Sequence, residues 1–268
     1  MTIAQILASQ STSGAFRSTV NHHGVTRVDE NCFVTALIVY ELLRLEDVAV
    51  CGAINRALDF LESCRGPFAF HFYPPGKEPD WMGAQLPPDA DDTALLARIL
   101  YETGRLSFDG VTQLVETALE PHRQHYNSDP IASWIQAGCY RTWLSSKQRP
   151  NPVDCCVNAN VAALLALIGR QDSSGYRAAC ATVVNGIAWA EGVDWRLAML
   201  TPYYPHASEL FYAIERGMDA GIEEFRKIPT PADWTGTLPC ASSLDGKTSW
   251  TSDELQALRN DRSTRRSR

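Results

Sequence analysis

The stretch Asp89-Ala90-Asp91-Asp92-Thr93-Ala94-Leu95 follows Pro87-Pro88 and opens a helical pattern. Two other stretches align with it without gaps. They are Asn31-Cys32-Phe33-Val34-Thr35-Ala36-Leu37 and Asn158-Ala159-Asn160-Val161-Ala162-Ala163-Leu164, offset by 58 residues (31 to 89) and 69 residues (89 to 158). A fourth helix start near Tyr204-Pro205-His206 lies 48 residues beyond Asn158 (158 to 206). Each unit puts a polar or acidic cluster at a helix start, then an apolar helix, then a second helix and a loop. Such a repeat reads as stacked helical hairpins. One helix of each pair faces inward, and a closed ring of them is an all-α, α/α barrel. The inner N-termini then share one mouth, where unpaired N–H groups and dipole ends favour anionic side chains. Capping alone explains an Asp or Asn at any single helix, whereas the common register across three units points to a shared mouth.

The rest of the chain fits that pattern. Helical periodicity covers Phe33–Leu45 and Val48–Cys64, and then Asp89 to about Thr103, where Gly104 stops the helix. Further helices are expected near 109–119, 132–145, 156–168, 175–190, 207–220 and 252–261, and no segment shows a strand-like alternation. An aromatic, proline-rich loop holding Phe68, Phe70, Phe72, Tyr73 and Trp81 precedes the Asp89 helix. Residues 1–228 are expected to form the barrel, and 229–268 a Pro/Ser-rich extension that ends in an Arg-rich tail. Arg259, Arg262, Arg265, Arg266 and Arg268 of that tail read as solvated and frayed.

Composition narrows the function. The 268 residues, 45% of them hydrophobic, can bury one large core or two small ones. A net charge of −7 argues against nucleic acid or an anionic membrane as the main partner. No apolar run reaches membrane-spanning length, and no leader pattern opens the chain. Eight scattered cysteines without a CxxC pair read as reduced thiols of a cytoplasmic protein.

Asp89 is a natural N-cap, which puts Asp91 and Asp92 in the first helical turn. In a dry site, desolvation and like-charge repulsion force such a cluster to keep a proton, while the helix dipole pulls the other way. A neutral carboxylic acid at the mouth of an apolar cavity can protonate even a weak base such as an alkene. Asp89-Ala90-Asp91-Asp92-Thr93-Ala94 resembles the DxDDTA motif of class II terpene cyclases, the group that includes squalene–hopene cyclases and shares an α/α toroid with protein prenyltransferases. The resemblance implies that Asp91 protonates a terminal alkene or epoxide of a prenyl or meroterpenoid chain, flanked by Asp89 and Asp92. It also implies an isomerase-type carbocationic cyclisation inside an aromatic cavity, with no cofactor for the protonation. Family members pair two helical domains and the triterpene members carry Gln…Trp repeats; this chain has length for about one domain and lacks those repeats. A homo-oligomer or partner chain closing the cavity, and peripheral membrane contact, stay open. Trp81, Phe72 and Tyr204 stand next to inner-helix starts and are expected to meet substrate, with Asn158 and His206. Trp134, Tyr140, Trp143, Trp189, Trp195, Tyr203, Phe211 and Tyr212 add to the aromatic supply.

Rival readings share the fold. Asp154-x-Cys156 followed by His206 resembles the zinc ligands of protein prenyltransferase β subunits, where a thiolate, a carboxylate and an imidazole leave one position open. Zinc would then activate a thiol towards a prenyl diphosphate, and a capping Asp beside a buried Cys explains the segment equally well. Asp29 or Glu30 with Asp91 could serve as the acid–base pair of a carbohydrate-active enzyme. A non-catalytic lipid- or protein-binding barrel is a fourth reading. His22-His23 reads as exposed, His71 as structural, and His122 and His125 lack acidic or cysteine partners nearby.

Overall fold

Two runs, Cys32–Leu43 and Cys155–Leu167, are apolar on every face, so they can only be stable with protein on all sides. They form the centre of a mostly helical fold. The computed structural model describes residues 1–45, 47–83, 85–126, 131–148, 150–229 and 240–266, the last four without their side chains. In chain order the elements are α1 (Ile3–Ala8), β1 (Ser18–His22), β2 (Val25–Asp29), α2 (Cys32–Leu43), α3 (Cys51–Ser63), α4 (Ala90–Glu102) and α5 (Phe108–Leu114). There follow β3 (Arg123–Gln124), β4 (Cys139–Tyr140), α6 (Cys155–Leu167), α7 (Ser174–Ala190), α8 (Asp194–Leu200), α9 (Ser208–Asp219), β5 (Ala241–Ser242), β6 (Thr248–Thr251) and α10 (Asp253–Arg266).

The buried helices α2, α4, α6 and α9 pack in that order, with α3 and α10 against α2, α5 against α4 and α7 against α6. Hydrogen bonds and ion pairs tie the row across. Tyr40 of α2 bonds Asp219 of α9. The Arg98 guanidinium of α4 donates to the Arg216 carbonyl of α9 at 2.7 Å. Three polar side chains cap the inner helices: Asn31 on α2, Asp89 on α4 and Asp154 on α6. The third repeat unit therefore begins four residues earlier than the sequence alignment places it. Asn158 stands one turn inside α6, where it holds the backbone of Tyr140 through both its amide oxygen and nitrogen.

The expectation of a wholly helical chain is corrected by a four-stranded antiparallel sheet in the order β2-β1-β6-β5. Its hairpin turns at His23 and Gly24, both at positive φ, the geometry of a two-residue turn. The strands are short, with Ser18, Asp29 and Thr248 at buried positions and Val25 and Val28 exposed, so no apolar alternation stands out in the sequence. The helix expected over 132–145 is also absent. Those residues form turns and β4, and then an extended run in which Trp143 bridges to Asp89. Nor does the 240–266 segment trail into solvent. Its strands complete the sheet, α10 packs on α2, and Arg259 and Arg262 are buried in ion pairs with Glu209, Glu41 and Glu215. Most of the expected Pro/Ser-rich link (230–239) and Arg268, like the side chains of Arg265 and Arg266, lie outside the described residues.

Candidate functional site

The start of α4 presents its carboxylates to a cavity of about 400 Å³. Asp89, Asp91 and Asp92 form one end of it, each less than a tenth exposed. Aromatic rings make most of the wall: Phe33 from α2, Phe72 and Trp81 from the proline-rich loop, Trp143 from the extended run, Tyr203 and Tyr204 ahead of α9, and Trp250 from β6. The rings brace one another. Phe72 meets Trp250 edge-on at 5.1 Å, Phe33 lies 5.8 Å from Tyr204, and the Trp143 indole donates to the Tyr203 hydroxyl at 2.5 Å. At the other end, Ser242, Ser243, Leu244 and Asp245 of the β5–β6 hairpin and His22 of β1 complete the lining.

Each carboxylate has its own environment. Asp91 accepts from the Asn160 amide at 2.7 Å through Oδ1 and from the Tyr204 hydroxyl through Oδ2. Behind it, Arg216 donates to Asn160 at 2.9 Å and to Glu209 at 3.1 Å. Burial raises the Asp91 pKa, and the donors from Tyr204 and Asn160, together with the Arg216 charge, restrain the rise. Asp89 is pushed up much further, by burial and by the charges of Asp92 and Asp91. Its Oδ1 accepts the Asp92 backbone N–H at 2.7 Å, the N-cap bond of α4. Asp92 is raised to about 7, chiefly by burial, and its Oδ2 is buried without a hydrogen-bond partner. The cluster thus resists full ionisation, and Asp91 differs from Asp89 in having two side-chain donors on its oxygens and the Arg216 charge behind it. A fourth buried acid, Asp154, rises to about 8 through burial and the Asp91 charge.

Among the residues expected to meet substrate, Trp81, Phe72 and Tyr204 line the cavity. Asn158 does not, because its amide is engaged with the Tyr140 backbone, and Asn160, two residues on, reaches Asp91 instead. His206 is exposed and outside the cavity wall. The suggested zinc ligands Asp154, Cys156 and His206 do not converge. Asp154 spends its oxygens on backbone N–H groups of Cys156, Val157 and Tyr203, and no group of three His, Cys, Asp or Glu among the described residues could hold a metal ion. Asp29 is buried beneath the wall, bound by Asn31, Tyr73 and the Trp250 indole, and Glu30 binds Ser11 and Ser13. Neither reaches the cavity with Asp91.

The sequence reading missed Trp250, Arg216 and the β5–β6 hairpin, and it set His22 aside. The Asn158-x-Asn160 pair carried half of the signal, since both residues are polar in an otherwise apolar helix. The hairpin left its own trace in Asp245-Gly246, a turn dipeptide between the short runs Ala241-Ser242 and Thr248–Thr251.

No protein-family model matches the chain, and no curated protein matches it. A solved structure of a protein from Actinoplanes is similar at 15% identity, with a TM-score of 0.42 over 88% of this chain and 80% of that one. A likeness that weak carries no argument about fold or function.

Proposed function

We propose that the chain is a class II terpene cyclase-like enzyme in which Asp91 protonates a terminal alkene or epoxide of a prenyl or meroterpenoid chain and starts a carbocationic cyclisation. The observation that carries this reading is a buried acid cluster opening onto a cavity walled by aromatic rings. In this reading the inner helices close as an α/α barrel, with α10 joining α2 to α9 through Arg262, which pairs with Glu41 and Glu215.

Protonating an alkene demands an acid that is neutral before transfer and stabilised after it. Burial favours the protonated form of Asp91, and Asn160 and Tyr204 would receive the charge left on its oxygens once the proton has moved. Asp89 is raised well above the usual carboxylate range by burial and its two acidic neighbours, which makes it a poorer donor than Asp91. The proton moves from Asp91 to the alkene carbon, and the π electrons of successive double bonds close the rings. Loss of a proton from the final cation, or capture of water, ends the sequence. Rings such as Trp81, Phe72 and Trp250 stabilise the migrating charge on their faces, about 0.5–2 kcal/mol for each contact. A cavity of about 400 Å³ falls in the small-molecule range of about 300–1,000 Å³.

The test is incubation with farnesol, geranylgeraniol and their terminal epoxides, with products separated by gas chromatography and mass spectrometry. Cyclic products are expected from the native chain. Asp91→Asn should lower turnover by about 10²–10⁴, the usual contribution of a general acid, while leaving the thermal transition in place. Full turnover by Asp91→Asn would end the proposal. Retained ligand binding with no product from the native chain would leave a lipid-binding barrel.

A further inference from the structure

We infer that the substrate of this cavity carries a neutral or cationic, hydrogen-bond-donating head group at the β5–β6 hairpin, and not a diphosphate. The inference rests on the cyclase reading only in taking the prenyl chain as the body of the ligand. It names the polar end of the molecule and the residues that meet it.

The cavity is polarised in depth. Its floor is the buried acid cluster of α4, and its outer end is the hairpin turn, where Leu244 is 41% exposed. A prenyl chain whose terminal alkene reaches Asp91 therefore leaves its head at Ser242, Ser243, Asp245 and His22. Among the described residues of the lining there is no lysine and no arginine. Four carboxyl groups line it instead, and Asp245 at the mouth is ionised, its pKa lowered to about 2 by the Ser243 hydroxyl and the Lys247 backbone N–H. The Lys247 ammonium lies 3.4 Å from the outer Asp245 oxygen, is well exposed and stands outside the wall, as does Arg27, whose charge reaches His22. His22 faces Thr248 at 2.8 Å, and its pKa is pushed down by desolvation, His23 and Arg27, so it is neutral at pH 7.

A diphosphate needs guanidinium, ammonium or metal partners to replace its water. The hairpin offers a carboxylate, hydroxyls and a neutral imidazole. These accept hydrogen bonds from an alcohol, a phenol, an indole N–H or an ammonium, and they repel a polyanion. Such a head would be supplied by a reaction that joins a prenyl chain to an acceptor molecule, or by one that removes its diphosphate.

The experiment is a binding titration of the full chain followed by tryptophan fluorescence, since Trp81, Trp143 and Trp250 all line the cavity. The probes are farnesol, farnesylamine and farnesyl diphosphate, which share one tail, each at physiological ionic strength without added metal. Saturable quenching is expected with the alcohol and the amine, and at least about tenfold weaker binding of the diphosphate. Asp245→Asn should erase the preference for amine over alcohol, because the amide keeps an acceptor oxygen and loses the charge. Equal or tighter binding of the diphosphate overturns the inference, as does failure of all three probes to bind. Turnover separates it from the cyclase reading. Neutral probes that bind without Asp91-dependent product sink the cyclase and spare the head-group assignment. Asp91-dependent cyclisation of the diphosphate does the reverse.

Discussion

At the scale of single residues, the proposed role of Asp91 makes two demands, that it hold a proton and that it release one. Burial alone would make it a weak acid that never lets go. The two donors on its oxygens correct that by holding the anion once the proton has left. Tyr204→Phe removes one of them without opening the cavity. It should lower kcat by roughly 10- to 100-fold, the worth of about one charge-assisted hydrogen bond, with KM little changed; steady-state kinetics on the farnesol epoxide reads both. The pH profile has a definite sign. Raised carboxyl groups are protonated on the acid side and lose their protons as pH rises through the raised values, so activity should be flat at acid pH and fall on an alkaline limb. Asp92 titrates at about 7, beside Asp91, and Asp92→Asn should displace that limb. How much of this was legible in the sequence follows from distance along the chain. Asp89, Asp91 and Asp92 are one helical turn and could be read directly. Asn160 and Tyr204 reach Asp91 across 69 and 113 residues, contacts that only the packing of α6 and the α9 approach against α4 creates.

At the scale of elements, α2, α4, α5, α6 and α7 were legible because each carries an apolar run behind a polar cap; α3 and α9 start at Val50 and Ala207 without a capping side chain and were legible by period alone, and the short α1 and α8 were not read. The register of the third unit was not, because Asp154 and Asn158 are both good capping residues and only the backbone decides between them. Asp154 won by taking the N–H groups of Cys156 at 2.7 Å and Val157 at 3.4 Å. Asp154→Ala should therefore lower stability by about 1–2 kcal/mol. Asp154→Asn keeps the capping oxygen and removes the titration. With an ordinary value of 3.8 raised to about 8, Asp154 binds its proton more tightly in the folded chain. Its contribution is complete below about pH 4 and is lost as pH rises to 8. Denaturant midpoints measured across that range should slope downward for the native chain and be flatter for Asp154→Asn. The strands escaped the sequence reading for the opposite reason. A strand of two to five residues has too few positions to show a period, and it exists here only because β6 returns to pair with β1.

At the scale of the whole molecule, that return matters most. Residues past Ile228 read as an appendage, since they are rich in proline, serine and arginine. In the structure they supply a third of the residues that line the cavity, the inner pair of sheet strands' second member, and a helix whose arginines neutralise α2 and α9. Arg259 lies 3.6 Å over the Tyr212 ring and 2.8 Å from Glu209. Arg262 bridges Glu41 and Glu215, both buried. Arginine in a tail looks solvated in a sequence because its partners are some 50 to 221 residues away. Removing it takes one partner from each of these carboxylates, although Glu209 keeps Arg216, and breaking one buried pair costs about 3–5 kcal/mol. Two such losses match most of a domain's net stability of about 5–15 kcal/mol. A chain ending at Ile228 would also take the Trp250 indole from Asp29 and leave β1 without its second partner. It should fail to unfold cooperatively and should not quench on addition of farnesol. Arg259→Ala combined with Arg262→Ala isolates the electrostatic share, because the strands and Trp250 remain. That double variant should keep the sheet but lose most of its stability in urea titrations. A midpoint equal to the native one would show that α10 rests on α2 and α9 through apolar contacts alone.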